Sequence, residues 1–85
     1  MTLSELKSGQ VAVVTGYGAE GEGIDSTTAR RYRAKLLALG LTRGAKVRFI
    51  HEAPLGDPIE IEVRGFHLSL RKAEASVLNV RQIVV

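Results

Sequence analysis

Apolar and polar residues alternate most regularly in the second half of the chain. Ile59, Ile61 and Val63 alternate with Glu60, Glu62 and Arg64; after Gly65, Phe66, Leu68 and Leu70 alternate with His67, Ser69 and Arg71. Two period-two runs joined at a glycine predict a hairpin with one buried and one wet face. Upstream, Val47, Phe49 and His51 alternate with Arg48 and Ile50, and both sets are partly apolar, so this strand is expected to be covered on both sides. Val11–Thr15 is β-rich and reads as the first strand, and 79–85 as the last.

The period changes once. Tyr32, Leu36 and Leu39 fall at i, i+4 and i+7, which places them on one face of a helix from about Thr28 to Leu39. Ser26, Thr27 and Thr28 are its N-cap candidates, and Gly40 is a natural stop. Between strand and helix, Gly16–Gly23 carries four glycines and reads as a flexible loop. Thr2–Ser8 is a lead-in with Leu3 and Leu6 free to pack, and 72–77 reads as one helical turn. The sum is five strands and one inserted helix in a single domain spanning 1–85. So many short strands favour a closed or nearly closed small barrel, because closure removes exposed strand edges.

Composition changes the picture only by exclusion. Eighty-five residues, 45% apolar and 25% charged, suit one small globular domain. The absence of cysteine removes disulfides and thiolate metal sites, and fits a reducing cytosol. No apolar run approaches the roughly 20 residues of a membrane-spanning helix, and no secretory signal is visible. The net charge of +3 is mild for a nucleic-acid binder. Its distribution matters more: Arg30, Arg31, Arg33 and Lys35 crowd the start of the helix, and Glu20, Glu22 and Asp25 stand just before them.

Three motifs invite chemistry. Gly16-x-Gly18-x-x-Gly21 matches a dinucleotide fingerprint as a string, yet no helix starts at once and Glu20 and Glu22 would repel phosphate. His51 and His67 are the only imidazoles, with Glu52, Glu60 and Glu62 in range, but they lack metal-ligand spacing. By alternation His51 lies on the face of Val47 and Phe49, and His67 on the wet face. Glu60 and Glu62 share a strand face and are expected to meet Arg71 or Arg64 across the hairpin. No serine sits in a nucleophile context. No catalytic residue, metal or cofactor is expected, and the chain is not expected to be an enzyme.

The helix cations and Leu55 remain. Cations near a helix N-terminus oppose its dipole, at about 0.3–1 kcal/mol each. They read either as a solvated face or as charge held for an anionic partner. Leu55, between Pro54 and Gly56, either folds over the barrel mouth or stands out as a contact anchor. A base-stacking platform is not expected, because Phe49 and Phe66 are needed in the core.

From Tyr32 onward the chain resembles the FeoA family. The matching text is Tyr32–Leu41, Gly44, then Ala53-Pro54-Leu55-Gly56-Asp57-Pro58 through Gly65, and Leu68-Ser69-Leu70-Arg71-Lys72 through Ala75. The resemblance implies a mainly β SH3-like barrel with an inserted helix. It also implies a cytoplasmic accessory of FeoB, the membrane ferrous iron transporter with a GTPase domain, held at the membrane only through that partner. How members act is open between regulating the GTPase, stabilising assembly and sensing metal. One departure is Arg43 before Gly44, where the family usually has proline. The expected contact residues are Arg30, Arg31, Arg33, Lys35, Leu55 and Asp57. Rival readings are a small nucleic-acid-binding barrel, a metal sensor, and the related domain of iron- and manganese-dependent repressors, whose DNA-binding domain this sequence lacks. An unpaired last strand offers an edge through which a homo-oligomer could form.

Overall fold

A computed structural model of the chain describes residues 1–18 and 24–84. The second part of the glycine-rich loop lies outside the described residues. The elements are a 3-10 turn at Leu3–Glu5, β1 (Val11–Tyr17), α1 (Ser26–Ala38), β2 (Lys46–Glu52), β3 (Ile59–Val63), β4 (Phe66–Leu70), α2 (Lys72–Ala75) and β5 (Leu78–Ile83). The five strands form one antiparallel sheet in the order β4-β3-β2-β1-β5. Strand number, mainly β character and the inserted helix agree with the sequence reading.

Among the described residues hydrogen bonds do not close the sheet, so β4 and β5 are its edges. The chain crosses between them through α2, which packs against the N-terminal 3-10 turn, and that turn touches β5. The enclosed core takes Leu3 from the turn, Ala12 and Val14 from β1, Leu36 and Leu41 from the helix and its exit, Val47 and Phe49 from β2, and Ile59, Ile61 and Val63 from β3.

Helix α1 begins two residues earlier than its apolar spacing suggests. Its N-cap is Asp25, whose carboxylate accepts the Thr28 N–H at 2.7 Å, so Ser26, Thr27 and Thr28 lie inside the first turn. At the other end Gly40, with φ +94°, donates to Leu37 O, and Leu41 N–H reaches Leu36 O at 3.0 Å. This double bond pattern needs a left-handed residue at Gly40, and it seats Leu41 beside Leu36, both fully buried. Leu39 is thereby the C-cap and is 38% exposed, so the buried face is Ala29 and Leu36 with Tyr32 packed against them.

Two strands depart from simple alternation. In β2, Phe49 pairs with Ile61 but His51 pairs with Glu60, so a bulge absorbs one residue between them. The bulge turns His51 to the wet side, away from Val47 and Phe49. Lys46 and Arg48 are exposed as well, so β2 is covered on one face only. In β4, Phe66 is 70% exposed although its partner Val63 is buried. The reason is position: β4 is an edge, and nothing beyond it covers the first side chain after the turn.

That turn carries an unusual residue. Arg64 (φ +52°) and Gly65 (φ +83°) link Val63 to Phe66, and positive φ at both positions defines a type I′ turn. Glycine is at home there and arginine is not; asparagine adopts this conformation readily. Arg64 recovers only an exposed 3.2 Å bond to Thr42 Oγ1. Arg64→Asn is therefore expected to raise stability by about 0.5–1 kcal/mol, measured as a higher urea midpoint at unchanged slope.

Candidate protein-contact surface

The helical period places Arg31, Ala34 and Ala38 opposite the buried Ala29 and Leu36, with Arg30 and Leu37 on one flank. Arg30, Arg31 and Arg33 are exposed, and among the described residues none is in an ion pair. Arg30 and Arg33 border a shallow groove with Gly18, Ser26 and Ala29. Leu37, 42% exposed, adds an apolar side chain on the flank that carries Arg30. No acid stands in the first turn, but the Asp25 cap supplies negative charge there. Its carboxyl is held below the ordinary range chiefly by the Thr28 N–H, with the Arg31 charge a minor contributor.

Lys35 behaves differently. Its ammonium meets the Glu74 carboxylate at 2.6 Å, and among the described residues Glu74 is the one buried charged side chain. The other Glu74 oxygen accepts the Arg71 N–H at 2.9 Å. Burial by itself would push the Glu74 carboxyl up. The hydrogen bonds from Lys35 and Arg71, together with their charges, outweigh it and hold the group below its ordinary value. The pair joins α1 to α2 across 39 positions of sequence, a separation at which no local spacing could announce it.

The β2–β3 loop is tied to α2 as well. Asp57 Oδ1 accepts the Lys72 N–H at 3.0 Å at the start of α2, and Lys72 Nζ lies 3.7 Å from Glu52. Within the loop, Gly56 N–H bonds Ala53 O at 2.7 Å and Ala53 N–H bonds Pro58 O at 2.9 Å. On this braced turn Leu55 stands 96% exposed, so it does not fold over the barrel mouth. The helix cations and Leu55 are thus carried by two elements that α2 fastens together. Lys35 and Asp57, expected from sequence among the contact residues, both take part in that fastening.

Tyr17 was not singled out by its sequence context. Its hydroxyl donates to Leu41 O at 2.6 Å, pinning β1 to the exit of α1, and burial pushes its pKa up to about 12.

The remaining motifs form no chemical centre among the described residues. Glu62 meets Arg48 at 3.0 Å, rather than Arg64 or Arg71, and His67 at 3.4 Å. Glu60 meets His51 at 2.8 Å and His67 at 3.8 Å. This is a surface network across three strands. Among the described residues no group of three or more His, Asp and Glu is placed to hold a metal ion. Gly16 and Tyr17 belong to β1, no helix starts at Gly18, and Gly21 lies outside the described residues. The exposure of Phe66 corrects the expectation that the core consumes it. No helix among the described residues is long and apolar enough to cross a membrane.

Comparison with known proteins agrees with this architecture. The family model for the FeoA domain matches residues 1–82. A Fe(2+) transport protein A/Fe(2+) transporter FeoB fusion protein of Porphyromonas gingivalis is 31% identical over 83 residues, 98% of this chain. This chain spans 9% of that fusion protein's length. The solution structure of the FeoA protein from Chlorobium tepidum is 42% identical, with a TM-score of 0.80 over 99% of this chain and 71% of that one. The zinc complex of FeoA from Stenotrophomonas maltophilia, described as a prokaryotic SH3 domain protein, is 33% identical. Its TM-score is 0.71 over 95% of this chain and 89% of that one. With a matching family model over nearly its whole length and the same fold, the chain belongs to the FeoA domain family.

Proposed function

We propose that this protein is a non-enzymatic accessory of ferrous iron uptake that acts in the cytoplasm by binding the cytoplasmic region of a FeoB transporter. The observation that carries the reading is a relative in which the two proteins are one polypeptide. Covalent linkage holds two modules at a high effective concentration, which suits partners that must meet. The surface suits a docking role: an aliphatic anchor on a braced loop, and three exposed arginines on a helix that α2 ties to that loop. Arginine is among the residue types that dominate contact energies, an exposed aliphatic side chain offers apolar area for a partner to cover, and the charge selects an acidic counterpart.

The test is a pull-down and titration of the protein against the cytoplasmic part of its own organism's FeoB, with and without guanine nucleotide. Arg31→Glu combined with Leu55→Asp is expected to weaken binding by about 10- to 100-fold while leaving thermal unfolding in place. Unchanged binding by the folded variant would remove the surface from the reading. Absence of binding in every nucleotide state would remove the reading itself.

A further inference from the structure

The two edges of the sheet are treated differently. Along β5, Thr2 bridges to Asn79 and the Val80 N–H donates to Met1 O at 2.9 Å, so the N-terminal segment covers the start of that edge. Further along, β5 carries Arg81. The last strand is an edge, as the sequence suggested, but its start is covered and its remainder carries a charge. Strand β4 has neither protection. Among the described residues, no backbone hydrogen bond reaches β4 from any element but β3. The usual protections of an edge are charge, proline, a bulge or a cover. Phe66-His67-Leu68-Ser69-Leu70 has no Lys, Arg, Asp, Glu or Pro, and its register with β3 is unbroken. Its brevity is the one protection it has.

The register shows which backbone groups are free. In a two-residue type I′ hairpin the residues flanking the turn exchange hydrogen bonds, and bonded and non-bonded pairs then alternate. Phe66, Leu68 and Leu70 therefore turn their backbone groups to β3, and His67 and Ser69 turn theirs outward. The side chains alternate in step. His67 lies on the wet face with Glu60 and Glu62, while Phe66, Leu68 and Leu70 lie on the core face. On that face Phe66 is 70% exposed and Leu68 is only partly buried.

We propose that the β4 edge binds a second copy of this chain, β4 to β4, antiparallel about a two-fold axis at Leu68. The occupant follows from the pattern. Apolar-polar-apolar-polar-apolar is unchanged when read backwards, so the strand is complementary to itself. Two-fold pairing sets His67 opposite the second copy's Ser69, and these are the residues whose N–H and C=O groups are free. Each such pair exchanges two hydrogen bonds, four in all, and Leu68 meets its own counterpart at the closer non-bonded position. Phe66 lies across from the second copy's Leu70, so the exposed ring extends the other core. An uncharged strand pairs with itself without repulsion, which β5 with Arg81 does not match. The contact is isologous and closes at a dimer. It is independent of the transporter reading and uses none of the residues assigned to that surface.

Sedimentation velocity on the full chain, from micromolar to millimolar concentration, tests this directly. A reversible monomer–dimer equilibrium is expected, with hydrogen-exchange protection at His67 and Ser69 that rises with protein concentration. Ser69→Pro removes an outward N–H from each copy without touching the β3 ladder, and so deletes two of the four bonds. It is expected to raise the dimer dissociation constant by about tenfold or more. Phe66→Lys, at an exposed position, provides a second disruption that spares the fold, and thermal unfolding checks both variants. A chain that stays monomeric throughout, or a dimer whose dissociation constant neither variant moves, overturns the proposal. So does protection at His67 and Ser69 that appears only with a different protein bound.

Discussion

Replacing Ile61 with alanine is expected to lower the unfolding free energy by about 2–5 kcal/mol. Ile61 is fully buried on β3, paired to Phe49 of β2 on one side and Leu68 of β4 on the other. Truncation removes the transfer free energy of the lost methyl and methylene groups, and it leaves a cavity that two flanking strands cannot collapse without breaking register. A domain of this length has a total stability of about 4–13 kcal/mol at roughly 0.05–0.15 kcal/mol per residue, so the loss is a large share. The melting temperature should fall by about 10–30 °C. Calorimetry of the purified variant checks this, and a shift of a degree or two would mean that Ile61 is not part of a packed interior.

The second large effect concerns Lys35. Lys35→Ala leaves the Glu74 carboxylate buried with only the Arg71 N–H as partner. An uncompensated buried acceptor costs about 1–3 kcal/mol, and the half-exposed position of Lys35 keeps the effect within that range. Arg31→Ala, on the same helix but in solvent, should change stability by less than about 0.5 kcal/mol. The contrast separates the cation that holds the fold from those that stand in solvent.

Lys35→Ala also has a pH signature. In the wild type the folded Glu74 carboxyl lies below its ordinary value of 4.5. Its contribution is therefore complete above 4.5 and is lost as pH falls below it through the folded value. In the variant the main opposing hydrogen bond and charge are gone, burial favours the protonated acid, and acidification relieves the penalty. Urea unfolding at pH 7 and at about pH 4 should show the gap between the two proteins narrowing at the lower pH. A gap that stays constant would mean that the ion pair is not the cause.

Sequence and structure agree most closely where a local rule decides. The hairpin of β3 and β4 follows from strict alternation around Gly65, and its inner positions Ile59, Ile61, Val63 and Leu70 are all buried. The stop of α1 follows from Gly40, whose left-handed backbone makes the cap. The clustered arginines are equally plain, because consecutive cations on a helix need no tertiary information to be recognised.

The departures share a cause. His51 is on the wet side because a bulge slipped β2 by one residue against β3, and nothing in the composition of β2 marks a bulge. Phe66 is exposed because β4 is an edge, and edge or centre is a property of strand order. Glu60 and Glu62 take His51, His67 and Arg48 as partners because register chooses who stands opposite.

The candidate surface divides along the same line. Arg30, Arg31, Arg33 and Leu55 are recognisable from residue type and local context, since cations against a helix dipole and an aliphatic side chain in a proline-bound turn are anomalies of sequence. That Lys35 and Asp57 also fasten α1 and the Leu55 loop to α2 was decided by tertiary structure alone. Periodicity, capping and turn chemistry act over a few residues, and a chain carries them in plain order. Burial of Glu74, the freedom of the β4 edge and the outward stance of Leu55 depend on which distant segments come to lie side by side.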